Sequence, residues 1–162
     1  MPNRRLSERV EQPFDASPWQ RVESTLMTTS HAVRKAFDQR FAALDLNLSQ
    51  ASVLAYLQET GAMTQTRISE RLGIGRAATG TIIDRLESKS LVERKPDPGD
   101  RRVWLVAVTQ AGKDLAAKIN EIDRVLRSEL RVGITRSERQ QLAKLLLRLQ
   151  ANISRSLAND DA

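Results

Sequence analysis

Two clusters of side chains in this chain are equipped for recognition chemistry. The first is Arg76-Ala77-Ala78-Thr79-Gly80-Thr81, followed by Asp84-Arg85. A guanidinium such as Arg76 presents parallel N–H donors that match the two acceptors of a guanine edge, and Thr81 offers a thymine or a phosphate its methyl and hydroxyl. Arg85, further along, is better placed for a phosphate. Ala77, Ala78 and Gly80 keep the surface between them low. A glycine inside a helix costs roughly 1 kcal/mol relative to alanine, so Gly80 predicts a steric need, here close approach to a partner. The second cluster is Asp100-Arg101-Arg102. A carboxylate two residues before a guanidinium can hold it extended by a charge-assisted hydrogen bond. A braced arginine on a narrow finger suits a thin, electronegative groove.

Little else here could run a reaction. The chain has no cysteine and one histidine, His31, which removes disulfides, thiolate metal sites and cysteine nucleophiles and leaves no set for a histidine-based triad. No paired carboxylates in a cleft-forming context, no phosphate-binding glycine loop and no nucleophile–base set is found. No catalytic residue, metal ligand or cofactor is therefore expected, and the chain is not read as an enzyme. Lys and Arg number 26 against 20 Asp and Glu, a net charge of +6, which favours an anionic partner. The stretch 64–109 holds nine Lys/Arg and six Asp/Glu; that enrichment is mild, and charge alone does not place the partner. No apolar run approaches the roughly 20 residues a bilayer requires. Met1 to Gln12 lacks the apolar core of a signal peptide, so a soluble, cytoplasmic protein with no membrane partner is expected.

The elements that must position these clusters follow from hydrophobic period and capping chemistry. A capping box at Ser17-Pro18-Trp19-Gln20 predicts the start of a long helix bearing Val22, Leu26, Val33, Phe37 and Phe41 and reaching about Leu44. Ser49 is read as the cap of a second helix, with Val53, Leu54 and Leu57 inside and Gly61 at its end. Thr64 caps a short helix through Leu72, stopped by Gly73, and after three residues another runs from Arg76 to about Lys89 with Ile82, Ile83 and Leu86 inward. The period then changes. Leu91–Lys95 and Val103–Val108 flank the turn-rich Pro96–Arg102 as a β-hairpin, on which Trp104 is expected to pack. Thr109 caps a helix bearing Leu115, Ile119, Ile122, Leu126 and Leu130 up to Gly133. A box of Thr135 and Glu138 opens the last helix, with Leu142, Leu145, Leu146, Leu149, Ile153 and Leu157. Helix, glycine turn, helix and hairpin over 64–109 form the plan in which the second helix enters a DNA major groove.

Leu72-Gly73-Ile74, Ile83-Asp84-Arg85-Leu86-Glu87, Leu91-Val92-Glu93-Arg94, Asp100-Arg101-Arg102 and Val108-Thr109-Gln110-Ala111-Gly112, in that order and spacing, resemble the winged-helix core of the MarR family. The likeness covers about Leu44 to Leu157. It implies a mainly α fold with a small β-hairpin wing, a winged helix-turn-helix domain carrying N- and C-terminal dimerisation helices. The corresponding boundaries are a flexible arm 1–16, a dimerisation helix 17–46, the DNA-binding domain 47–109, C-terminal dimerisation helices 110–158 and a tail 159–162. A homodimer on a pseudo-palindromic double-stranded operator follows from the same resemblance. So do DNA contacts at Arg76, Ala77, Thr81 and Arg85 on the recognition helix and at Asp100, Arg101 and Arg102 on the wing. It further implies a cleft for a small aromatic or phenolic effector, for which His31, Arg34 and Phe37 are candidate lining residues. The chain departs from the family where Gly75 replaces the usual Ser or Thr cap, and where Ala77 and Gly80 replace larger polar residues. With no cysteine and only His31, the peroxide- and zinc-sensing branches do not fit.

Two functions share this scaffold. One is a repressor released by the small ligand; the other is a ligand-independent architectural or activator DNA-binding protein. A titration of aromatic acids that leaves DNA affinity unchanged favours the second.

Overall fold

The computed structural model describes Ser17 and residues 21–160. The expected arm 1–16, Pro18 to Gln20 and the last two residues lie outside the described residues. The chain divides into two compact units, Met1–Ile122 and Asp123–Ala162. Its elements are α1 (Val22–Phe41), a 3-10 turn (Ala42–Leu44), α2 (Leu48–Thr60), α3 (Gln65–Leu72), α4 (Arg76–Ser88), β1 (Val92–Pro96), β2 (Trp104–Val108), α5 (Gln110–Leu130) and α6 (Arg136–Asp160). The mainly α fold with one antiparallel hairpin is as expected. No helix among the described residues is long and apolar enough to cross a membrane.

Two helix starts differ from expectation. α1 begins at Val22 behind Arg21, whose carbonyl accepts from Thr25 N–H at 2.9 Å and Ser24 Oγ at 3.3 Å, and not at Ser17. A cap is worth about 1 kcal/mol, too little to fix a boundary alone. α2 is capped by Asn47, not Ser49: Asn47 Oδ1 accepts from Gln50 N–H at 2.9 Å while Gln50 Oε1 accepts from Asn47 N–H at 3.0 Å. Asp38 Oδ1 reaches across from α1 to accept Leu48 N–H at 2.7 Å, so a further first-turn amide of α2 is satisfied. Asp45 makes the turn between them with a left-handed backbone, φ 53°.

Elsewhere the capping chemistry holds. Thr64 Oγ1 accepts from Arg67 N–H, Thr109 Oγ1 from Gly112 N–H at 3.1 Å, and Thr135 and Glu138 close a reciprocal box. The last helix runs two residues beyond its expected boundary at 158, to Asp160. In the first unit, Phe41, Val53, Leu54, Leu57, Ile68, Ile83, Leu86, Val92 and Val106 are buried. Ile82 is only half-buried; Thr79 fills the inward position instead. The strands pair Val92 with Val108 through Pro96 with Trp104, one residue later on β1 than expected. Met63 adds an antiparallel bridge to Val106 through hydrogen bonds of 3.2 and 2.8 Å, so the hairpin is tied back to the segment between α2 and α3. In the second unit, α6 leaves Leu142, Leu145, Leu147, Ile153 and Leu157 exposed.

The base of the hairpin is fixed by a close backbone approach. Thr109 N–H donates to the Leu91 carbonyl at 3.1 Å, and Thr109 Oγ1 donates to the Ser90 carbonyl at 2.7 Å. Gly112, on the first turn of α5, faces the same Leu91 carbonyl so tightly that a Cβ would stand 2.1 Å from its oxygen and 2.7 Å from Val108 Cγ2. The nearest neighbour is backbone, and it cannot yield as a side-chain tip would. Gly112→Ala is therefore expected to destabilise the protein by about 3 kcal/mol, the upper range of overpacking, seen as a fall in the urea midpoint; an unchanged midpoint contradicts the close approach.

Candidate nucleic-acid interface

The turn between α3 and α4 sets the presentation of α4. Gly73 takes the left-handed conformation, φ 61°, that a sharp helix stop requires. Two buried hydroxyls then hold the turn: Ser69 Oγ donates to the Ile74 carbonyl at 2.5 Å and Thr79 Oγ1 to the Gly75 carbonyl at 3.1 Å. Gly75 caps α4 without a side-chain hydrogen bond, which leaves its first-turn amides unclaimed by any side chain. Arg76, Ala77, Thr81 and Arg85 are all exposed. Thr81 Oγ1 donates back to the Ala77 carbonyl at 3.2 Å, which orients its hydroxyl along the helix.

Gly80 also faces a neighbour within the protein. A Cβ there would meet Gln65 Nε2 of α3 at 3.1 Å, and that amide donates to the Arg76 carbonyl at 3.3 Å. The missing side chain leaves room for that amide, a constraint within the protein that stands beside the expected approach to a partner.

Asp84 shares the exposed stretch with Arg85, yet its carboxylate is engaged. Arg94 on β1 donates from Nη2 to Asp84 Oδ1 at 2.6 Å and from Nη1 to Glu87 Oε2, while Arg94 N–H donates to Glu87 Oε1 at 3.2 Å. One guanidinium thus joins two acidic positions of α4, three residues apart on one face, to the first strand of the hairpin. The hydrogen bond to Asp84 chiefly, with the charge of Glu87, raises the Arg94 pKa against the lowering effect of desolvation. Arg94, Glu87 and Gln65 are the positioning residues that sequence reasoning missed. The only signal was an acidic pair on a helix followed by a basic residue on a strand, and tertiary structure alone pairs them.

The brace at the hairpin tip is as predicted. Arg102 donates from Nε to Asp100 Oδ1 and from Nη2 to Asp100 Oδ2, both at 3.1 Å, and its own N–H donates to Asp100 Oδ1 at 3.0 Å. The side chain of Arg102 remains 91% exposed, so it is oriented without being covered. Those bonds, the side-chain ones first, hold the Asp100 carboxyl below the ordinary carboxylate range. The guanidinium groups of Arg76, Arg85 and Arg101 have no partner among the described residues. Trp104 does not pack as expected; it stands exposed at the start of β2, opposite Pro96, where the hairpin offers nothing to cover it.

The three effector candidates separate. His31 and Arg34 line a shallow depression of about 450 Å³ on α1 with Lys35, Asp38, Gln39 and Ala42. Arg34 donates to Ser49 Oγ at 3.3 Å. Phe37 does not line the depression; it is buried and stacks on Phe41 with ring centroids 5.8 Å apart. No group of His, Cys, Asp and Glu among the described residues could hold a metal ion.

A helix-turn-helix followed by a hairpin with a braced arginine defines a winged helix of the DNA-binding kind. Residues 46–104 match the model of the MarR family. The chain is 30% identical over 145 residues to the HTH-type transcriptional repressor NicR of Pseudomonas putida, covering 85% of this chain and 89% of NicR. It superposes on Bordetella bronchiseptica BpsR, whose DNA binding is regulated by 6-hydroxynicotinic acid, with TM-score 0.74 and 25% identity over 80% of this chain and 92% of that one. The S. aureus MepR–DNA complex shares the fold at TM-score 0.74 and 22% identity, over 80% and 96% of the two chains. The chain belongs to the MarR family. It is a transcriptional regulator that binds operator DNA, not an enzyme.

Two outcomes test the geometry. Arg94→Ala leaves Glu87 and Asp84 facing one another unneutralised and is expected to cost about 1–2 kcal/mol of stability in urea unfolding; an unaltered midpoint removes the junction. Because the folded pKa of Asp100 is depressed, its brace contributes above the ordinary carboxylate range and is lost as pH falls through the folded value. A carboxyl NMR titration of Asp100 should show a midpoint that moves up in Arg102→Ala; identical midpoints in the two proteins would show that no brace exists.

Proposed function

We propose that the chain is a homodimeric repressor that reads a pseudo-palindromic operator and is released by a small hydroxylated aromatic acid. The observation that carries this is the sorting of arginines. Arg102 is braced and exposed on the hairpin tip, while Arg76, Arg85 and Arg101 are exposed and unpartnered. In this reading α4 enters the major groove, with Arg76, Ala77 and Thr81 against base edges and Arg85 on a phosphate. Arg102, held by Asp100, enters the adjacent minor groove, and Arg101 neutralises the backbone beside it.

Dimerisation is supported by the leucine row of α6 that the chain itself leaves exposed. Two copies related by a twofold axis present two α4 helices, and a palindromic site needs them about 34–36 Å apart. An effector acts only if it binds one spacing better than the other. NicR is named a repressor, and the DNA binding of BpsR responds to an aromatic hydroxy acid; both support the same assignment here. The depression beside His31 and Arg34 offers cationic neighbours to a carboxylate.

The test is an anisotropy titration with a labelled duplex of the region upstream of the chain's own coding sequence. Arg102→Ala should bind at least about tenfold more weakly, and Arg85→Ala should reduce the slope of log affinity against log salt by about one. Adding 6-hydroxynicotinic acid should release the wild-type protein. Full affinity in Arg102→Ala sinks the wing assignment; affinity indifferent to aromatic acids leaves a ligand-independent DNA-binding protein.

A further inference from the structure

The hairpin carries one large aromatic group to which the interface above gives no task. Trp104 is 57% exposed, and its indole N–H has no hydrogen-bond partner among the described residues. A lone exposed hydrophobic residue is ordinary; its register makes this one informative. Side chains of directly paired residues share a face of the hairpin, and faces alternate along each strand. Trp104 pairs with Pro96, and Val106 with Arg94, so Trp104, Pro96 and Arg94 lie on one face. Arg94 identifies that face, because its guanidinium reaches Asp84 and Glu87 on α4. Trp104 therefore stands on the side of the hairpin that looks toward α4, about 7 Å nearer the tip than Val106. Arg102, two residues earlier, is braced at that tip.

A helix in a major groove and a finger in the adjacent minor groove straddle one sugar–phosphate strand. Whatever lies between them meets that strand. We propose that Trp104 is a DNA-contacting residue, its ring laid on a deoxyribose and its Nε1–H donated to a phosphate oxygen of the straddled strand. An indole fits that surface, being apolar on its faces and a hydrogen-bond donor only. Arg101 and Arg102 close by make a polyanion the favoured occupant. Contacts to sugar and phosphate carry no base information, so the residue adds affinity without sequence preference. The inference rests on the interface proposed above, and the experiment keeps the two separable.

The chain has two tryptophans, so Trp19→Phe leaves Trp104 as the single fluorophore. That protein is titrated with two unlabelled duplexes, one from its own upstream region and one scrambled to equal length at low salt, and binding is followed separately by anisotropy of labelled copies. Trp104 should lose most of its acrylamide quenching on both duplexes. Trp104→Ala should weaken both by about tenfold, the loss of one aromatic contact and one hydrogen bond, with an unchanged circular dichroism spectrum; Trp104→Phe, which keeps a ring and loses the donor, should fall between. Binding with Trp104 still freely quenched, full affinity in Trp104→Ala, or a loss confined to the upstream duplex each overturns the proposal while leaving the interface standing. No binding of either duplex by the wild-type chain overturns the interface and this contact together.

Discussion

A hairpin of two five-residue strands is marginal on its own, and an arginine-bearing finger beside an arginine-bearing helix also repels it. Arg94 answers both problems. Its guanidinium sits between the carboxylates of Asp84 and Glu87, so the strand is fastened to the helix at the place where their electrostatics would part them. The remaining charge is then sorted. Arg94, facing two carboxylates, fastens the framework, Arg102 is braced by Asp100 at the exposed tip, and Arg76, Arg85 and Arg101 stand exposed. Net charge hid this arrangement, because the acidic residues that dilute it are the ones holding the basic residues in place.

Much of the architecture was legible because it is written in local rules. Thr64, Thr109 and the Thr135–Glu138 pair are caps whose donors and acceptors lie within one turn, and Gly73 marks its stop by backbone conformation. The Asp100–Arg102 brace spans two residues and was legible for the same reason. What failed was long-range or competitive. Asn47 outbid Ser49 because Gln50 completed a box around it, and Asp38 strengthened that choice from ten residues away. Asp84 answers to Arg94 on a strand ten residues on, which a reading of its own helix does not show. Phe37 and His31 share α1, yet helical period puts them on different faces, and only the stack on Phe41 shows which face is inside.

The interface and the core also use hydroxyls in opposite ways. Ser69 and Thr79 spend theirs on carbonyls of the α3–α4 turn, where water is excluded and an unpaired group would be costly. Thr81, one turn's width away on the surface, bonds only within its own helix. The turn is thereby rigid while the face it presents stays open, which is what a surface must be to meet a partner without first reorganising.

The outer edge of β1 has one more consequence. The Val106 N–H points away from β1, to Met63, so by alternation the outward-facing amide positions on β1 are Val92, Arg94 and Pro96. Glu87 already occupies the Arg94 amide, and proline has none to give. An open strand margin is a template on which further chains can zip themselves into a growing sheet. Here that template is blanked at two of three rungs, so β1 is a poor start for pairing with the wing of another copy.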